Sequence, residues 1–171
     1  MEKAFELRKS DVSGETIWWL FDAGDAWLTE GQSGAALRAY MTAKASAEAA
    51  LAGDPRKTQW QRDLSVSYNK IGEVQATRGD SAAALKSFQA GLAIRERLAA
   101  GDPRNTQWQR DVAASCWKLA SLGEVGGSVQ ARRGLLQNGL GILTAQRDLG
   151  QLPALNAGWV RLFEDALQKL K

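Results

Sequence analysis

The stretch GDPRKTQWQRD, Gly53 to Asp63, returns as GDPRNTQWQRD, Gly101 to Asp111, and differs only in Lys57 against Asn105. A catalytic motif is ordinarily needed once, whereas a near-verbatim copy at a fixed spacing marks a structural unit that is built and then stacked. The same offset of 48 residues relates Gly31 to Gly79 to Gly127, Ala36 to Ala84, Leu37 to Leu85 and Tyr40 to Phe88. It reaches back to Arg8-Lys9-Ser10, aligned with Arg56-Lys57-Thr58, and forward to Gly139-Leu140-Gly141-Ile142, aligned with Gly91-Leu92-Ala93-Ile94. The chain therefore carries three repeats, the third degenerate.

Within a repeat the punctuation is that of two helices, A and B. Thr58-Gln59-Trp60-Gln61 and Thr106-Gln107-Trp108-Gln109 have the form of a capping box, which predicts that helix A starts there with threonine as the cap. Arg78-Gly79 predicts its end, because glycine takes a left-handed C′ conformation, and Asp80 or Ser81 is placed to cap helix B. Gly53 with Pro55, and Gly101 with Pro103, predict the ends of the B helices, and Ser33 is the expected cap in the first repeat. Leu64, Tyr68, Ile71 and Val74 lie on one helical face, as Leu85, Phe88, Leu92 and Leu98 largely do. One helix pair cannot cover two such faces alone, so neighbouring pairs must share a core, with Trp60 and Trp108 wedged between successive repeats. From Leu152 to Lys171, the apolar set Leu155, Trp159, Leu162, Phe163, Leu167 and Leu170 predicts a terminal helix that covers the last repeat and turns a polar face outward.

Composition narrows the function classes. The 171 residues suffice for one substantial domain, and abundant Ala, Leu, Gln, Arg and Lys with only three prolines favour helix. Lys and Arg number 22 against 19 acidic residues, interspersed, which argues weakly for nucleic acid. Histidine is absent and Cys116 is the lone cysteine, so the commonest general base, an internal disulfide and multi-cysteine zinc sites are excluded. No metal or cofactor is expected. No apolar run approaches the roughly 20 residues that span a bilayer, and a soluble, cytoplasmic protein is the expectation.

At this point the chain resembles the tetratricopeptide repeat family, whose pattern is W-x2-L-G-x2-Y, then A-x3-F. The second repeat shows Tyr68-x2-Ile71-Gly72, then Ala84-x3-Phe88. The first shows Leu20-x2-Ala23-Gly24-x2-Trp27, then Ala36-x3-Tyr40. The small residues Gly24, Gly72, Ala36 and Ala84 would let helices A and B approach closely, and the match covers about Ser10 to Gly150. Its period of 48 exceeds the family's usual length of about 34, which implies helices longer by almost two turns each, as in the long-helix, bacterial-style variety. In the third repeat Ala120 keeps the small site of helix A, Arg132 falls where alanine is expected, and Gly123-Glu124-Val125 echoes Gly72-Glu73-Val74 with three extra residues.

The resemblance implies an all-α solenoid of antiparallel helix pairs, about seven helices in a right-handed superhelix, as a single domain over 1–171. Its repeats would run at about 10–53, 58–101 and 106–150, with a terminal helix at about 152–170. It also implies a module that binds a peptide or partner protein on the concave face of the A helices. Carried onto this sequence, the groove positions are Trp18, Phe21, Asp25 and Leu28, then Val66, Asn69, Glu73 and Thr77, then Trp117 and Ser121. A C-terminal carboxylate clamp is disfavoured, since only Asn69 sits suitably; the groove so read is mixed, aromatic and acidic, and an apolar or partly basic segment would suit it better. Two alternatives stand beside this reading: a nucleic-acid-binding solenoid using Arg95, Arg97, Arg104, Arg110, Arg132 and Arg133, and a regulatory fragment of a larger signalling enzyme. Catalysis is not expected, because Tyr68 with Lys70, or Cys116 with Lys118, point to different sides of a helix. Partner identity and oligomeric state are not readable from the chain.

Overall fold

A computed structural model describes residues Gly14–Leu170; the expected start of the first repeat near Ser10 and the Arg8-Lys9-Ser10 alignment lie outside the described residues. Among the described residues there are seven α-helices and no strand. They are α1 (Gly14–Thr29), α2 (Ser33–Gly53), α3 (Thr58–Thr77), α4 (Ser81–Gly101), α5 (Thr106–Ser121), α6 (Val129–Asp148) and α7 (Ala157–Lys169), with 3-10 turns at Gly123–Gly126 and Ala154–Asn156. Connections of three or four residues follow α1 to α4, which leaves consecutive helices little choice but to lie antiparallel. Contacts divide the chain into two compact lobes, one up to Ile94 and one from Arg95, with the division inside α4.

The duplicated stretch builds the same turn twice. Asp54 Oδ1 accepts from the Arg56 amide at 3.2 Å, the Lys57 amide donates to the Asp54 carbonyl at 3.2 Å, and Gln61 Nε2 donates to the Pro55 carbonyl at 2.8 Å. The second copy repeats each bond: Arg104 amide to Asp102 Oδ1 at 3.2 Å, Asn105 amide to Asp102 carbonyl at 3.0 Å, and Gln109 Nε2 to Pro103 carbonyl at 2.5 Å. The expected capping box is corrected here, because Thr58 and Thr106 are already helical and the glutamines are engaged with the proline carbonyls. The cap position is the single residue that differs. Asn105 Oδ1 accepts from the Trp108 amide at 3.1 Å, whereas Lys57 makes no side-chain cap bond. Ser33 is likewise helical, and Gln32 before it caps nothing.

Gly31 and Gly79 end helix A in the left-handed conformation expected of them, at φ 75° and 82°. The amides of the following residues, Gln32 and Asp80, reach back to the carbonyls of Trp27 and Gln75 at 2.7 and 2.9 Å, which ties off the last turn. Gly53 and Gly101 do not use that device. Each is the last residue of its B helix with no positive φ, and the Asp-Pro turn that follows ends the helix instead.

The third repeat keeps the offset of 48 throughout. Gly127 takes the place of Gly79 at φ 121°, Ser128 caps α6 through the Ala131 amide as Asp80 caps α4 through the Ala83 amide, and Leu136 is buried in the place of Phe88. The expected three-residue insertion is therefore corrected. Helix α5 stops about a turn early and a 3-10 turn fills the gap. A Cβ on Gly126 would stand 2.3 Å from the Leu119 carbonyl oxygen, so that turn closes only over glycine.

In the first lobe α1 packs on α2 and α2 on α3. The core holds Ile17, Leu20, Phe21 and Trp27 from α1, Ala36, Ala39, Tyr40, Ala43 and Ala47 from α2, and Ile71 and Val74 from α3. Gly24 lies against the Tyr40 ring and Gly72 against the Phe88 ring, so closely that a Cβ would sit 2.3 and 2.6 Å from the ring atoms. These are the close A–B approaches that the small residues predict. Trp60 is half-buried against this core and its ring reaches Gly14 at the start of α1. In the second lobe α6 packs between α5 and α7 around Ala113, Ala120, Leu136, Leu143, Val160 and Phe163. Helix α7 does turn Arg161, Glu164, Asp165 and Gln168 outward, but Leu155 and Leu162 are also exposed, at 93% and 43%, contrary to the expected apolar side.

Candidate partner-binding surfaces

The expected groove positions of the first lobe part company in the structure. Phe21 and Asn69 occupy the same place in successive repeats and both are buried, at 2% and 4% exposure. This corrects their assignment to an open groove. Phe21 belongs to the core, and a Cβ on Gly91 of α4 would stand 3.0 Å from Asn69 Oδ1, so Asn69 fills an interhelical gap. Leu28 is half-buried against the same core. Trp18, Asp25 and Thr77 are exposed, and Val66 and Glu73 are half-buried. The Thr77 hydroxyl donates to the Glu73 carbonyl of its own helix at 2.9 Å.

Trp18 and Asp25 face α3 and are engaged by it. Trp18 meets Phe21 edge-on at 5.5 Å, and the Arg62 guanidinium lies 5.9 Å from the Trp18 ring, a cation–π contact. The Asp25 carboxylate accepts from the Tyr40 hydroxyl at 2.5 Å and forms an ion pair with Lys70, whose ammonium also lies 5.6 Å from the Tyr40 ring. Burial, then the Asp25 hydrogen bond and charge, push the Tyr40 phenol well above its ordinary range. Asp25, an expected groove position, is exposed, but sequence reasoning missed Lys70 as its partner. The acidic character expected of this face is thereby largely spent inside the protein.

Beneath Trp18 lies Asp63, fully buried. Gln59 donates to its Oδ1 at 2.8 Å, while Oδ2 has no hydrogen-bond partner among the described residues. Burial raises the carboxyl pKa, against the opposing effects of the Gln59 bond, the Arg62 charge and the Trp18 indole.

In the second lobe Trp117 and Ser121 line an open cleft of about 190 Å³ between α5, α6 and α7. Trp117 is half-buried and packs on Phe163 at a ring distance of 5.2 Å. Leu136, Ala166 and Leu170 supply further apolar wall, and Arg132 and Lys169 supply two cations. Arg132 Nε donates to the Ala120 carbonyl at 3.1 Å, near the C-terminal end of α5 where a carbonyl lacks a helical partner. The Ser121 hydroxyl is turned back to the Trp117 carbonyl at 2.8 Å. Trp117 and Ser121 were among the expected groove positions and Arg132 was marked only as a break in the repeat and a candidate phosphate contact; its company with Lys169 at this cleft was not expected.

Cys116, one turn from this cleft, is fully buried and accepts from Asn138 Nδ2 at 3.8 Å. Burial, with the Glu96 charge, pushes its thiol up to about 11, which disfavours thiolate chemistry near neutral pH. No helix among the described residues is long and apolar enough to cross a membrane, and no cluster of three or more Cys, Asp or Glu residues there could hold a metal ion. Compared with known proteins, the chain matches no family model and no curated protein sequence.

Proposed function

We propose that this protein is an interaction module of the tetratricopeptide repeat type, which binds a segment of a partner protein. The reading is supported by the glycine-to-aromatic contacts at Gly24 and Gly72, which place the family's small and large residues against one another. The observation that carries it is the cleft at Trp117. A tryptophan left partly exposed over an apolar floor, with cations lining the same cleft, has the make-up of an interface anchor, in which one aromatic supplies most of the binding energy. Phe21, expected at the groove, is not part of this surface, since its side chain is inside the core.

Affinity capture from the native host, with the full chain as bait and mass spectrometry as readout, tests the proposal. A partner should be retained by the native chain and weakened by about 2 kcal/mol or more in Trp117→Ala, with helical content unchanged. Equal retention by that variant would move the binding surface away from the cleft.

A further inference from the structure

We infer that the cleft of the second lobe takes an acidic segment bearing one bulky apolar side chain, the apolar group resting on Trp117, Leu136 and Leu170 and an adjacent carboxylate facing Arg132 and Lys169. The inference rests on the interaction-module reading and specifies the partner's chemistry. Three observations lead to it. First, the cleft, at about 190 Å³, lies below the several hundred Å³ typical of pockets for whole small molecules, which suits a single side chain.

Second, Arg132 breaks the repeat. Ala36 and Ala84, its equivalents, are fully buried, so packing there asks for a small residue. One of the guanidinium donors answers the Ala120 carbonyl, and among the described residues the terminal nitrogens have no further partner. Lys169, exposed and lining the same cleft from α7, likewise has no hydrogen bond or ion pair among the described residues. Two cations held over an apolar floor favour a carboxylate, and a guanidinium offers it a paired fork of donors.

Third, the charge of the chain is unevenly divided. From Arg95 onward there are eleven Lys and Arg against seven Asp and Glu, whereas up to Ile94 there are eleven against twelve. The whole positive excess therefore belongs to the lobe that holds the cleft, and a field of that sign speeds encounter with an acidic segment and disfavours a basic one.

The test uses three fluorescently labelled, end-blocked hexapeptides otherwise made of glycine and serine: phenylalanine flanked by two glutamates, phenylalanine flanked by two lysines, and alanine flanked by two glutamates. Anisotropy with the full chain should show the first bound about tenfold more tightly than either of the others. Lys169→Glu and Arg132→Gln should each weaken it at least about fivefold with unchanged circular dichroism, and added salt should weaken it further. Arg132→Gln also removes the bond to Ala120 and can disturb folding; Lys169 is exposed, so Lys169→Glu decides by itself. Equal binding of the lysine peptide, no binding of the phenylalanine–glutamate peptide up to millimolar concentration, or full affinity in Lys169→Glu would overturn the inference. A native partner that depends on Trp117 but not on Lys169 would leave the interaction reading standing and remove this one.

Discussion

Asp63 is the residue at which this fold stores its clearest polar penalty. A fully buried carboxylate with one unpartnered oxygen is destabilising when ionised, and its pKa is raised accordingly. A raised folded-state value means that the folded protein holds the proton more tightly than the unfolded chain. The favourable contribution is then fully present below the unfolded value near 4 and is lost as pH rises through the folded one. Asp63→Asn removes the charge and keeps the shape and the Gln59 contact. The variant should be more stable than the native chain at pH 7, by on the order of 1 kcal/mol, with the gain shrinking as pH falls toward 4. Urea denaturation at both ends of that range measures it, and a gain independent of pH would remove the carboxylate as its cause. Asp111, the equivalent in the next repeat, is only half-buried, so the same substitution there should gain less.

At the scale of the element, the two copies of the opening stretch form a natural experiment. Their turns share three hydrogen bonds and differ at the cap, where asparagine satisfies an amide and lysine does not. Transferring the better cap, Lys57→Asn, should raise stability by about 0.5–2 kcal/mol, and Asn105→Ala should lower it by a similar amount. Thermal melts of the two single variants check both signs. If Lys57→Asn has no effect, water already satisfies the start of α3 equally well. The same logic reads the B helices, where Asp80 and Ser128 cap and Gln32 does not. Element boundaries were legible because turn chemistry is local: Gly31, Gly79 and Gly127 take positive φ as their spacing predicts. The capping residue was misplaced by one position because the glutamines find partners in the preceding turn. One echo in α7 was overlooked. Trp159 with Arg161 repeats the spacing of Trp60 with Arg62 and Trp108 with Arg110, so the terminal helix begins as the A helices do.

For the whole molecule, the uneven charge gives the most direct expectation about a partner. If the second lobe recognises an acidic segment, affinity for the captured native partner should fall as salt is raised from about 0.05 to 0.5 M, because the screening length drops well below about 10 Å over that range. Surface plasmon resonance across the series checks it, and affinity indifferent to salt would point to a purely apolar contact. The sequence by itself determined the helical class, the period of 48, the glycine and alanine close approaches and most turn positions, since each is encoded within a few residues or in the interval between copies. Only the tertiary structure decided which side chains are available to a partner. Phe21, Asn69 and Trp117 hold the same place in three successive repeats, yet the first two are buried and the third is left half-open. Likewise Asp25 is exposed by its helix but occupied by Lys70, 45 residues away. Exposure is a property of what packs against a residue rather than of its own register, and that depends on neighbours that no local pattern names.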